Sequence, residues 1–124
     1  MFTQAAYKPG GFYDFYKQEC DESCLTVEID FNRDYTRYTS SKNAIKIFEA
    51  LKWEIISDID VDNNPSLLEK YDKLVLLHNE YVTRNMFNVI TNHSNVIYLY
   101  PNALYAEITY NEQTKSIQLV RGHN

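Results

Sequence analysis

Apolar positions recur along the chain with two periods, and the switches between them outline alternating strands and helices. Leu25, Val27, Ile29 and Phe31 alternate with Thr26, Glu28 and Asp30, which predicts a half-buried strand over 24–31. Ala44, Ile47, Phe48 and Leu51 recur at i, i+3, i+4 and i+7, which predicts an amphipathic helix capped by Ser40-Ser41 and ending near Trp53. EIISDIDV, residues 54–61, starts apolar and ends acidic, and reads as the next strand. Asn64-Pro65 then opens a short helix through SLLEKY. LVLL, residues 74–77, is continuously apolar, as in a strand covered on both faces. Thr83 caps a second full helix, RNMFNVITNH, with Met86, Phe87, Val89 and Ile90 facing inward, and VIYLYP, residues 96–101, is a further buried strand.

This alternation predicts an α/β fold with a mostly parallel sheet and helices on both faces. The tail differs: ALYAEITY and SIQLVRG, separated by NEQTK, read as an antiparallel hairpin. Ahead of the first strand, YKPGGFYDFYK turns at Pro-Gly-Gly and enters a short helix from about Gly11 to Gln18, while the polar stretch 32–39 reads as a loop. Phe2-Thr3-Gln4 reads as the exit from a strand that would precede residue 1, and Arg121-Gly122-His123-Asn124 leaves the last strand uncapped. Both ends therefore read as cut, so that residues 1–124 form one α/β domain, incomplete at both ends, of a longer chain.

Composition narrows the partners. A formal charge of −5 argues against a nucleic-acid backbone or an anionic membrane as the main partner. No apolar stretch approaches the ~20 residues needed to span a bilayer. Three glycines are too few for a dinucleotide or phosphate-cradling loop. Eleven tyrosines suit half-buried walls and interfaces, which is the reading of Tyr98, Tyr100, Tyr105 and Tyr110. Cys20 and Cys24, in CDESC, allow a small disulfide loop, free thiols or part of a metal site. The disulfide would persist only in an oxidising compartment, which favours an extracytoplasmic location.

Ligands of open parallel sheets bind beyond the carboxyl ends of the strands. Three polar clusters lie at such predicted ends: Asp58/Asp60/Asp62, His78/Asn79/Glu80/Tyr81 and Tyr100/Asn102/Tyr105. The second occupies a strand-to-helix corner where several hydrolase families place a nucleophile, but no Ser or Cys stands at its apex. Chemistry there would use Glu80 or His78 as general base, or Glu80 and Tyr81 as metal ligands, with Asn79, Tyr100, Asn102 and Tyr105 around a ligand. The alternative is a plain turn in which Asn79 takes an unusual backbone angle and Glu80 favours the helix start. Separately, Asp58, Asp60, Asp62, Asn64, Ser66 and Glu69 fall on positions 1, 3, 5, 7, 9 and 12 of an EF-hand loop, a candidate calcium site that lacks the turn glycine. His93 reads as a structural helix terminus.

YDKLVLLHNEYVTRNMFNVI, residues 71–90, resembles the class I glutamine amidotransferase-like superfamily, in particular the branch around the carboxyl-terminal part of the dimethylformamidase large subunit. With VIYLYPNALYAEI and FTQAAYKPGGFYDFY, it is also similar to proteins of ammonia-oxidising archaea. The resemblance covers roughly residues 40–108 and implies a flavodoxin-like, three-layer sheet with its site at HNEYVT. It implies amide hydrolysis with an iron held by tyrosine and glutamate, onto which Glu80 and Tyr81 map. The cysteine elbow of true amidotransferases is replaced here by Glu80 without flanking glycines.

Overall fold

A computed structural model describes residues 1–32 and 39–122 as a mixed α/β fold. Among these residues the strands form two sheets. The larger is built from β1 (Thr26–Glu28), β3 (Tyr81–Val82), β5 (Ala106–Asn111) and β6 (Ser116–Arg121), in the order β1-β6-β5-β3. The predicted hairpin is present as β5 and β6, which run antiparallel with Thr109 opposite Gln118. Asn111 Oδ1 holds the hairpin loop by accepting from Gln113 N and Thr114 N. β1 adds antiparallel to β6, and β3 adds parallel to β5. The smaller sheet pairs β2 (Leu74–Leu76) with β4 (Val96–Tyr98) in parallel.

Helix α5 (Arg84–Asn92) carries the chain from β3 to β4, so parallel pairing follows from a helical crossover as expected. Its predicted cap holds: Thr83 Oγ1 accepts from Met86 N at 3.3 Å, and Met86 and Ile90 are buried. Phe87, expected inward, is exposed.

Three expectations are corrected. The segment 54–61 is not a strand: 54–56 has no regular structure, and Asp58–Asn63 is helix α4. A capping box decides it, since Ser57 Oγ accepts from Asp60 N while the Asp60 carboxylate accepts from Ser57 N. Asp58 and Asp60 in the first turn also suit the helix dipole, and the β-branched run loses to these local bonds. The opening residues are not a strand exit but helix α1 (Phe2–Ala6), whose Phe2, Ala5 and Ala6 enter the core against the larger sheet. VIYLYP is not buried: β4 is an edge strand with Ile97, Tyr98 and Leu99 exposed by 40, 48 and 50%.

Pro9-Gly10-Gly11 turns α1 into α2 (Phe12–Tyr16), a helix within the predicted bounds. A side chain on Gly11 would place its Cβ 2.6 Å from Ala6 O, so this close approach needs glycine. The predicted amphipathic helix is α3 (Thr39–Ala50), which places Ser40 and Ser41 inside the helix and leaves Ile47 and Leu51 of its apolar stripe in solvent. Pro65–Lys70 forms a 3-10 turn with Pro at its start. Of the predicted loop over 32–39, residues 33–38 lie outside the described residues, as does His123, and Thr39 already belongs to α3. No helix among the described residues is long and apolar enough to cross a membrane.

Candidate functional site

β2 does not pass straight into α5. After Leu76 the chain turns through His78 at φ +55°, then makes the two-residue strand β3 before the Thr83 cap. The left-handed residue is His78, not Asn79 as expected; His tolerates that region better than most side chains. Main-chain bonds fix the corner to the 100–106 segment, where Leu104 N donates to Asn79 O and Ala106 N to Glu80 O. On the other side, Thr3 Oγ1 of α1 accepts from Glu80 N at 3.0 Å and Tyr81 N at 3.3 Å. The Glu80 side chain is thereby pinned in the interior, 1% exposed.

Two tyrosines from the start of the chain meet it there. Tyr7 OH donates to Glu80 Oε2 at 2.6 Å, and Tyr13 OH lies 3.2 Å from Oε1. The two rings stack at 4.3 Å, and Tyr13 OH donates to Tyr7 OH at 2.7 Å. Tyr81 is fully buried beside Phe12, and its hydroxyl bonds to Tyr13 rather than to Glu80. Each phenol has one proton, so the shortest contacts form a chain from Tyr81 through Tyr13 and Tyr7 to the carboxylate. Burial pushes all three phenols above their ordinary range, and the neighbouring Glu80 carboxylate adds to this, so they act as donors at neutral pH.

His78 is also buried, with Nε2 3.7 Å from Glu80 Oε2 and its ring stacked on Tyr100 at 3.8 Å. Burial lowers its pKa against the opposing pull of Glu80, so the imidazole is neutral near pH 7. The corner therefore combines an acceptor carboxylate, three phenol donors and an imidazole, a set able to hold or pass a proton.

Asn79 points its amide the other way, donating to Asp58 Oδ1 at 2.7 Å. Buried Asp58 also accepts from Phe2 N and pairs with the amino group of Met1, tying α4 to α1 and the corner. Asp60 is occupied in the capping box, while Asp62 accepts from Thr83 Oγ1. With Glu69 exposed on the 3-10 turn, the acidic set lies on α4 and beyond, where an EF-hand needs a loop. Among the described residues no three of His, Cys, Asp and Glu are grouped to hold a metal ion.

Of the third cluster, Tyr100 joins the site through His78, whereas Asn102 and Tyr105 stand exposed on the following turn. Cys20 and Cys24 form a disulfide between the bend after α2 and the 3-10 turn Glu22–Leu25. His93 closes α5 as expected: Nδ1 accepts from Asn95 N and Nε2 faces Tyr71 O at 2.8 Å.

Behind the corner lies a cavity of about 430 Å³, walled by the Trp53–Ser57 segment, α4, β2 and α5. Its lining is mainly apolar, with His78, Asn79 and Asp58 among its polar members and the stacked Phe48 and Trp53 rings on the α3 side. His78 thus belongs to both cavity and cluster. Sequence reasoning missed Thr3, Tyr7 and Tyr13; the available signal was a pair of tyrosines six residues apart across a Pro-Gly-Gly turn. No protein-family model, curated protein or solved structure matches this chain.

Proposed function

We propose that the chain is a ligand-binding α/β domain of the amidotransferase-like kind. In this reading the parallel β2/β4 pair with its α5 crossover belongs to a flavodoxin-like, three-layer arrangement and forms its edge. A small neutral molecule with an apolar body occupies the cavity and sets an amide-like polar end against His78 and Asn79. The observation that carries the reading is the cavity of about 430 Å³, apolar over most of its wall, which includes both residues of the corner. Titration with benzamide, followed by amide NMR, should shift His78, Asn79 and Leu76 in a saturable manner. Resonances that stay unmoved at saturating probe, or that move only outside the cavity wall, would defeat it.

A second reading has its own observation. Tyr7 OH lies 2.6 Å from Glu80 Oε2 and 2.7 Å from Tyr13 OH, and Tyr13 OH lies 3.2 Å from Glu80 Oε1. Gathered within hydrogen-bond distance of one another, two phenols and a carboxylate offer hard oxygen ligands to one cation. The donor set suits iron in an amide hydrolase, with Tyr7 and Tyr13 joining Glu80 and with Tyr81 behind them. Bound there, iron would polarise an amide carbonyl. This chain's part would be to present the carboxylate and to release phenol protons that burial otherwise retains. Elemental analysis after ferric loading should find one equivalent, with a visible phenolate-to-iron band lost in Tyr7→Phe. Loading without that band would reject the phenol ligands.

A further inference from the structure

We infer that β4 is the interface of a homodimer, in which two copies join edge to edge into one sheet, β2-β4-β4-β2. The register starts from two bonds. Asn95 O accepts from Leu74 N, and Leu99 N donates to Leu76 O, so the odd residues 95, 97 and 99 turn their main-chain groups toward β2. By strand alternation, Val96 and Tyr98 turn theirs outward. β2 is the only strand paired with β4 among the described residues.

An exposed apolar edge of this kind is a template for another strand, and proteins usually blunt one with lysine, proline or a bulge. None occurs within β4, where Ile97 and Tyr98, with Leu99 beyond, stand 40, 48 and 50% exposed. Pro101 stops the ladder only after its end. A two-stranded sheet is marginal by itself, and a second copy doubles it.

Charge identifies the occupant. From Asn85 to Ala106 the chain has no Asp, Glu, Lys or Arg, whereas the whole carries a net −5. Two copies share the same net negative charge, and the β4 edge lets them meet along a stretch without charged side chains. The edge is also self-complementary about a twofold axis at Ile97. Antiparallel pairing then sets Val96 opposite Tyr98 of the second copy, and the reverse, giving four main-chain hydrogen bonds and two β-branched–aromatic pairs.

Sedimentation equilibrium across the micromolar range should give twice the 14.6 kDa chain mass. Amide exchange should show concentration-dependent protection at Val96 and Tyr98. Ile97→Lys places like charges face to face at the axis, and Tyr98→Pro removes an outward donor while leaving the bonds to β2. Both variants should be monomeric with unchanged circular dichroism, while Thr109→Lys, with the same added charge on β5, should stay dimeric. A monomeric wild type, or a dimer that survives in the folded Ile97→Lys protein, would overturn the inference.

Discussion

Replacing Tyr7 with phenylalanine removes one hydroxyl and little else, because its ring contacts with Tyr13 and Tyr81 survive. The hydroxyl donates at 2.6 Å to a carboxylate that is 1% exposed, so the bond is of the charge-assisted kind and worth about 1.5–3 kcal/mol. Tyr7 is only half-buried and Tyr13 remains near the other oxygen, which places the expected loss at the lower end, about 1.5 kcal/mol. For a domain of 124 residues this corresponds to a fall of roughly 5–8 °C in Tm. Urea unfolding of Tyr7→Phe, Glu80→Gln and the double variant makes the test. If the phenol serves the carboxylate, its removal should cost less in the Glu80→Gln background, with a coupling of about 1 kcal/mol. Additive losses with a coupling near zero would show that the hydroxyl does not serve Glu80, and the metal reading would lose its central contact.

Thr83→Ala should lower stability by about 1–2 kcal/mol in the same assay, because it removes the α5 cap and the link to Asp62, while Thr83→Ser should restore most of it. His78 gives a pH signature: its folded pKa is depressed, so below the unfolded value near 6.5 the unfolded chain takes up a proton that the native state refuses. Stability should therefore decline as the pH falls from about 7 toward 5, and His78→Asn should flatten that decline; parallel urea-midpoint profiles would contradict the burial argument. Reducing the Cys20–Cys24 disulfide should cost at most about 2 kcal/mol, since it closes a very short loop, and should leave benzamide-induced shifts at Asn79 unchanged.

What the sequence reveals tracks the range of the interactions involved. Helix α5 and the β5/β6 hairpin were legible because their determinants are local: the Thr83 cap, the buried Met86 and Ile90, and the Asn111 bonds inside the NEQTK loop. The 54–61 segment was misread because Ile55, Ile56, Ile59 and Val61 carry a strand-like composition, while the deciding signal was a serine three residues before an aspartate. The corner was found but its contents were not. Glu80 meets Tyr7 and Tyr13 from 73 and 67 residues away, and Thr3 binds the corner backbone from 77. No window of sequence holds both halves. The exposure of β4 was equally hidden, since a continuous apolar run reads alike on a covered strand and on an edge awaiting a partner.

The two functional readings place opposite demands on one residue. In the cavity reading His78 is a wall whose neutral imidazole offers a hydrogen bond to the ligand, and the tyrosine chain behind Glu80 needs only to hold its protons. In the metal reading those phenols must surrender protons that burial retains, and the nearest neutral base able to accept one is His78, 3.7 Å from Glu80. Tyrosine ionisation followed by ultraviolet difference spectroscopy separates them. Ferric ion should release phenol protons near neutral pH in the wild type and fewer in His78→Asn, whereas benzamide should release none in either. Proton release on benzamide would refute the cavity reading, and no release on ferric loading would refute the metal reading.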